Sequence, residues 1–222
     1  GSEMCIRDRD VESIGSSVAE ALRGSGLAAS ALDLFSLTLE QLANLNLGTA
    51  EEPRRYGEKN AQKALDALQN ARELPLERWL IAFGIPQIGE VVAKALADTH
   101  PDLDHVAESP YIRDIIRLDE LVEQALKANP NTRENRKAVR EGTLSAEEAQ
   151  QRYKELTDEI DALTGHYLET GYLRKNTGKL SYGSEIGVAA AKSLNSFFTS
   201  VAGHHTLDVL HGLGINPQSQ SY

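Results

Sequence analysis

Four glycines in this 222-residue sequence stand in one repeated context. An apolar residue precedes each, an alanine follows four positions later, and a small or apolar residue follows three beyond that. The sets are Ile14, Gly15, Ala19, Leu22; Tyr56, Gly57, Ala61, Ala64; Ile88, Gly89, Ala93, Leu96; and Ile186, Gly187, Ala191, Leu194. Composition alone gives roughly one apolar-Gly-x-x-x-Ala match by chance, and four occur. The chemistry such a pattern can perform is anion capture. Glycine permits a positive φ and a close backbone approach. A helix starting just after it offers N–H groups that lack partners inside the helix. The partial positive charge of that terminus favours phosphate. Lys59, Lys94 and Lys192 follow a repeat glycine by two to five residues, where an ammonium can supplement the amides.

The elements that must hold these turns are helices. The apolar residue before each glycine tucks under the turn, and the alanine lets the following helix pack tightly on a preceding one. A helix is therefore expected on both sides of each glycine. Before the third, Leu76, Trp79, Leu80 and Phe83 recur at helical spacing. Gly84 stands where a helix C-cap belongs, and Pro86 lies in the turn. Before the second, Thr38 and Gln41 form a capping box ahead of Leu39, Leu42 and Leu45. Residues 48–54, GTAEEPR, read as a small insertion.

Composition agrees with packed helices: 41% hydrophobic and only 5% aromatic residues, with Ala and Leu abundant. No apolar run approaches the roughly 20 residues of a membrane span, and no secretory signal is visible. The single cysteine, Cys5, and the single methionine, Met4, both lie in residues 1–9, GSEMCIRDR. That stretch does not blend with the residues after it and reads as a non-native scar; the remainder, without methionine, reads as a piece of a longer chain. One cysteine excludes cysteine-rich zinc or iron–sulfur sites and internal disulfides, and a reducing bacterial cytoplasm, near the nucleoid, is the expected compartment. His204, His205 and His211 cluster near the C-terminus, with His100 and His105 elsewhere, but none has a helical i, i+4 partner backed by a carboxylate. No metal site is expected. The net charge of −10 opposes a global basic field: residues 111–182 hold 12 basic and 13 acidic side chains, leaving 11 and 20 elsewhere. Any polyanion must be held by local geometry.

At these residues the sequence resembles the helix-hairpin-helix domain of bacterial NAD-dependent DNA ligase. The stretches that carry the resemblance are DVESIGSSVAEAL, DLFSLTLEQLANL, RRYGEKNAQKALDAL, LERWLIAFGIPQIGEVVAKALA and SEIGVAAAKSLNSFF, of which FGIPQIGEVVA is the most specific. It covers about residues 10–110 and 181–216. It implies an all-α fold of four helix-hairpin-helix units in two pairs, clamping the minor-groove side of a nicked duplex during replication and repair. It also implies that Gly15, Gly57, Gly89 and Gly187 are the hairpin glycines, and that Ser17, Lys59, Asn60, Lys94 and Lys192 lie in phosphate-facing helix starts. The family often has another glycine two residues earlier. Here Ser13, Arg55, Gln87 and Glu185 occupy those places; Arg55 can assist at a phosphate, Gln87 joins the contact set by position, and Glu185 would repel one. The family's adenylated lysine in K-x-D-G and its four-cysteine zinc finger have no counterpart here. Catalytic residues, NAD, Mg and Zn would thus belong to other parts of such a ligase, with which this chain would associate.

The expected organisation is a scar at 1–9, a first hairpin pair at 10–72, a second pair at 73–110 with 181–216, and a helical-hairpin insertion at 111–180. The third and fourth glycines are 98 residues apart against 32 for the second and third. Within the insertion, Ile115, Ile116, Leu118, Leu121, Val122 and Leu126 mark one helix ending near Asn129 and Pro130; Ser145 and Glu148 open a second, running towards Leu168. Its role stays open. Two other functional readings stand beside the resemblance. One is a base-excision glycosylase with Asp98, Asp102 or Asp104 as its carboxylate, against which four tandem hairpins argue. The other is a helical protein-interaction module, which the acidic charge favours.

Overall fold

The computed structural model describes residues 14–176, 179–182 and 185–222. The segment read as a scar, Ser13, and the helix expected ahead of Gly15 lie outside them. In chain order the elements are α1 (Ser16–Gly24), a 3-10 turn (Leu32–Ser36), α2 (Leu39–Ala43), α3 (Glu58–Arg72), α4 (Leu76–Ala82), α5 (Glu90–Thr99) and α6 (Leu103–Ala107). Next come α7 (Pro110–Ala128), α8 (Arg133–Arg140), α9 (Ala146–Glu169), strands β1 (Leu173–Asn176) and β2 (Lys179–Tyr182), α10 (Val188–Phe198) and α11 (Val201–Gly212). The fold is helical, as expected, with one addition that composition did not announce: β1 and β2 pair antiparallel, Leu173 opposite Tyr182 and Asn176 opposite Lys179. Among the described residues no helix is long and apolar enough to cross a membrane.

The chain packs into two compact units, Gly1–Glu108 with Ser196–Tyr222, and Ser109–Asn195. In the first, α1 and α3 share one core. Val18 and Leu22 of α1 meet Leu42 and Ala43 of α2, Leu45, Tyr56, and Ala61 and Ala64 of α3, with Ile14 packed against them. The expected capping box opens α2: the Thr38 hydroxyl accepts from the Gln41 amide, and the Gln41 side chain accepts from the Thr38 amide. Residues 48–54 form a tight turned loop, fixed by the Asn46 carboxamide oxygen, which accepts from the amides of Gly48 and Arg54. Leu76, Trp79, Leu80 and Phe83 are all buried, and α4 packs on α5. Truncating a residue such as Leu80 to alanine would cost about 2–5 kcal/mol.

Further packing in this unit runs through rings and a strap. Phe35, Trp79, Phe83 and Phe197 form a row with neighbouring centroids 5.7–6.1 Å apart. Arg72 donates to the carbonyls of Phe35 and Leu213, tying α3 to the 3-10 turn and to the end of α11. The C-terminal tail crosses the start of α4 and of α6: Leu76 donates to Gln218 and Leu103 to Pro217, while Ser219 reaches Pro101 and Ala97. At Gly203 the α11 backbone approaches the Phe197 carbonyl so closely that a Cβ would lie 1.9 Å from its oxygen. Only glycine permits that crossing.

In the second unit α7 and α9 pack together, Leu121 and Ala125 against Leu156, flanked by Ala128, Tyr153, Ile160 and Leu163. Asn129 is the C-cap of α7 and Ser145 the N-cap of α9, where the sequence places these boundaries. Tyr111 lies between Tyr167 and Tyr172 at 5.2 and 5.0 Å. The Tyr167 hydroxyl donates to Asp114 at 2.5 Å. Burial, reinforced by that carboxylate, pushes its pKa above the usual phenol range. The short helix α8, between the two long ones, was not anticipated.

The fourth repeat departs from expectation. The chain ahead of Gly187 is β2, not a helix. The contact that α10 makes through Lys192 goes instead to Asp119 of α7, 73 residues earlier. The periodicity rule fails here because the residues preceding the glycine belong to a polar two-stranded ribbon.

Candidate nucleic-acid interface

The helices of this chain begin in two different ways. α2, α6, α7, α8, α9 and α11 each open on a Thr, Asp or Ser whose side chain accepts a first-turn amide: Thr38 from Gln41, Asp102 from His105, Ser109 from Ile112, Thr132 from Asn135, Ser145 from Glu148 and Ser200 from Gly203. Each such cap satisfies one of the donors that every helix start leaves over. α4 opens on Pro75 without a side-chain cap, and its Leu76 amide donates to Gln218 of the tail. The three helices α1, α3 and α5 instead open on Gly15, Gly57 and Gly89 with no side-chain cap. Among the described residues, no acceptor is found for the amides of Ser16 and Ser17, of Glu58, Lys59 and Asn60, or of Glu90 and Val91. All these residues are exposed. Water or an external anion must therefore satisfy them.

The glycines themselves fall into two classes. Gly57 has φ 85° and ψ 153°, a region open essentially only to glycine. It is pinned there by its amide donating to Ala43 and the Tyr56 amide donating to Leu45. Gly15 (φ −75°, ψ 172°) and Gly89 (φ −96°, ψ −174°) are extended, and Gly187 is not in the positive-φ set. The expectation of positive φ thus holds at one repeat glycine and is corrected at three. At Gly15, Gly89 and Gly187 an added Cβ would meet nothing within 4 Å. Neither backbone conformation nor packing requires glycine at these three positions. What glycine does there is leave the helix start uncovered.

Each supporting side chain has a definite setting. Ser17 is exposed on the first turn of α1. Arg55 is exposed, its backbone bridged to Asn46 ahead of Gly57. Lys59 is exposed on α3, and Asn60 donates to the Tyr56 carbonyl, bracing the turn. Gln87 adopts φ 70°, the left-handed conformation, at a place where glycine would be relaxed. Lys94 lies 3.6 Å from Asp98, one helical turn on. Lys192 is held at 2.8 Å by Asp119, which raises its pKa. Glu58 and Glu90 occupy the first helical positions of α3 and α5, whereas α1 and α10 carry no acid in their first turn. Val91, 63% exposed beside Gly89, was not singled out by sequence reasoning; the signal was an apolar residue on the outward side of an uncapped start. In three of the repeats the apolar residue and alanine behave as expected, with Tyr56, Ile88 and Ile186 buried and Ala61, Ala93 and Ala191 fully so, whereas Ile14 and Ala19 of the first are only half-buried.

Candidate catalytic carboxylates and histidines have structural occupations. Asp98 faces Lys94, Asp102 caps α6, and Asp104 accepts from His211 at 2.7 Å and Asn216 at 2.9 Å. Burial acts to raise the Asp102 pKa, but hydrogen bonds from His105 outweigh it and hold the carboxyl below its usual range. His105 lies 2.7 Å from Asp102 and is raised by that bond. Buried His100 is lowered by desolvation, its Nδ1 placed near the Leu96 carbonyl. Among the described residues no three His, Cys, Asp or Glu side chains come together as a metal set.

Helix starts opened by glycine and left without side-chain caps offer N–H groups to an external acceptor. Along all 222 residues the chain is 82% identical to a segment of the DNA ligase of Akkermansia muciniphila, spanning 28% of that protein. It is 29% identical over 161 residues to the DNA ligase of Thermotoga neapolitana and 36% identical over 122 residues to that of Chlorobaculum tepidum, spanning 22% and 15% of them. No family model matches the chain. The chain is therefore related to DNA ligases through a segment covering about a quarter of the first relative's length.

Proposed function

We propose that this chain binds duplex DNA, nicked duplex above all, without regard to sequence, as the helix-hairpin-helix part of a bacterial NAD-dependent DNA ligase acting in replication and repair. The observation that carries the reading is the contrast between helix starts. Most of the other helices whose starts are described have a first-turn amide met by a cap side chain, and α4 has one met by the tail, whereas those after Gly15, Gly57 and Gly89 have no side-chain cap. Backbone amides and a helix terminus grip phosphate oxygens, which are the same whatever the base. Lys59, Lys94 and Arg55 supplement the grip by charge; Ser17, Asn60 and Gln87 shape or line the turns. Lys192 at the fourth start must leave Asp119 to join, and Glu185 stands beside that start, so its contact is the weakest of the four.

The reading gives the chain no covalent chemistry and no cofactor of its own. NAD, magnesium and zinc belong to the remaining parts of such a ligase, and the bacterial cytoplasm, where DNA lies, is the compartment it implies. The glycosylase alternative loses its candidates, since Asp98, Asp102 and Asp104 are all committed to ion pairs, a cap or side-chain hydrogen bonds. One observation favours the interaction-module alternative: Glu58 and Glu90 place carboxylates on two of the uncapped turns. Fluorescence anisotropy with nicked and intact duplexes across a salt series separates the two. The DNA reading expects binding at low salt, equal for unrelated sequences and weakening as salt rises. Absence of binding to any duplex at low salt would leave the interaction module standing.

A further inference from the structure

α8 carries a feature that the hairpin reading does not use. Arg133, Arg136, Lys137 and Arg140 fall at i, i+3, i+4 and i+7, which is one face of a helix, and all four are exposed. The opposite side, with Thr132, Asn135, Ala138 and Val139, is half-buried, and no residue of α8 is fully buried. Polar bonds hold the helix in place. Asn135 donates to the carbonyls of Lys127 and Asn129 at the end of α7, and Arg136 donates to Asn131. The basic face is thus directed outward by its anchoring. Lys137 has one acidic neighbour, Glu141 at 3.7 Å.

This arrangement works against the helix's own stability. Four like-charged pairs lie at i, i+3 or i, i+4 spacing, each unfavourable for an isolated helix. Arg133 sits at the positive end of the helix dipole, where a cation is disfavoured. Lys137 and Arg140, at the C-terminal end, are favourably placed. Burial offsets little of this, because no side chain of the helix is fully buried. In a chain of net charge −10, a stripe of four cations about 10 Å long is a local exception to the overall field. Duplex DNA presents one negative charge per about 1.7 Å of axis, so a stripe of that length faces several phosphates at once.

We propose that the outward face of α8 is a second, purely electrostatic contact to duplex DNA, in which Arg133, Lys137 and Arg140 meet backbone phosphates outside those held by the hairpin amides. The proposal rests on the DNA reading above but uses different residues and different physics. The amide turns grip by geometry, whereas this stripe acts by charge and is strongly salt-sensitive. Arg136, tied to Asn131, positions the helix.

The test uses the full chain and a nicked duplex of about four helical turns, with affinity measured by anisotropy against salt concentration. The variant R133Q/K137Q/R140Q removes three charges but leaves the Thr132 cap and the Asn135 and Arg136 anchors, and circular dichroism verifies its helix content. The expected result is a log–log salt slope smaller by about 2 to 3, with weaker binding at low salt. The charge-keeping variant R133K/R140K retains the parent slope. An R133Q/K137Q/R140Q variant with the parent affinity and slope overturns the proposal, including the case in which the stripe serves an acidic protein instead. Gly89→Ala, measured alongside, keeps the two readings apart. If it loses binding while the triple variant does not, only the α8 contact fails. If the triple variant lowers the slope while Gly89→Ala is silent, only the hairpin reading fails.

Discussion

Replacing Gly89 by alanine separates folding from binding at one atom. Gly89 is extended, with φ −96° and ψ −174°, a conformation any residue adopts, and a Cβ there meets nothing within 4 Å. Alanine is a poorer N-cap than glycine by up to about 1 kcal/mol, but it also restricts the unfolded chain, worth about 0.4–1 kcal/mol in the other direction. The net change in stability is therefore about zero, within roughly 0.5 kcal/mol. Binding behaves differently, because the methyl group would stand where a phosphate approaches the Glu90 and Val91 amides. Losing one charge-assisted hydrogen bond of about 1.5–3 kcal/mol lowers affinity at least about tenfold, equally for all sequences. Gly57→Ala is the comparison. With φ 85° and ψ 153° it costs about 1–3 kcal/mol of stability as well as binding. Urea denaturation and anisotropy on nicked duplex read both quantities. If Gly89→Ala binds duplex as tightly as the parent, or destabilises the fold as much as Gly57→Ala, the idea that this glycine exists for an external phosphate is wrong.

Three other outcomes follow from the packing and the titrating groups. Gly203→Ala should destabilise by about 1–3 kcal/mol, since its Cβ would meet the Phe197 carbonyl oxygen at 1.9 Å; a melting temperature equal to the parent's contradicts that close approach. Gln87→Gly should stabilise by about 0.5–1 kcal/mol by relieving a left-handed residue, read by chemical denaturation. His100 and His105 should titrate on opposite sides of the ordinary imidazole pKa of about 6.5, below it for buried His100 and above it for His105 beside Asp102. Stability from His105 is complete below about pH 6.5 and fades as pH rises through its raised folded value. That from His100 is complete above about pH 6.5 and fades as pH falls towards its depressed value. NMR titration of the two rings checks the order.

Much of the helical framework was legible because local rules governed it. Leu76, Trp79, Leu80 and Phe83 are buried at the spacing that a helix requires, and Thr38 with Gln41 forms the box that the pair spells. Gly84 takes φ 63° just past the C-cap, Phe83. The features that were not legible depend on distance or on space. A repeat glycine reads the same whether its backbone needs positive φ, as at Gly57, or whether it only leaves room, as at Gly15 and Gly89. The ribbon before Gly187 is short, and LRKN and KLSY lack a clear two-residue alternation, so helix continuity was the simpler reading. The Lys192–Asp119 pair and the tail strap from Gln218 to Leu76 join residues 73 and 142 positions apart, beyond any periodicity. The outward face of α8 was written in the sequence at i, i+3, i+4 and i+7; the half-buried side that orients it was not.

The most direct measurement tracks backbone amides by 15N–1H correlation spectra while nicked duplex is added at low salt. The resonances of Ser16, Ser17, Glu58, Lys59, Asn60, Glu90 and Val91 are expected to shift most, whichever base sequence is used. Amides at the capped starts of α2, α6 and α11 should stay near their free positions. Shifts concentrated at the capped starts, or none at the glycine-opened ones despite saturating DNA, would contradict the claim that bare helix termini hold the phosphate backbone.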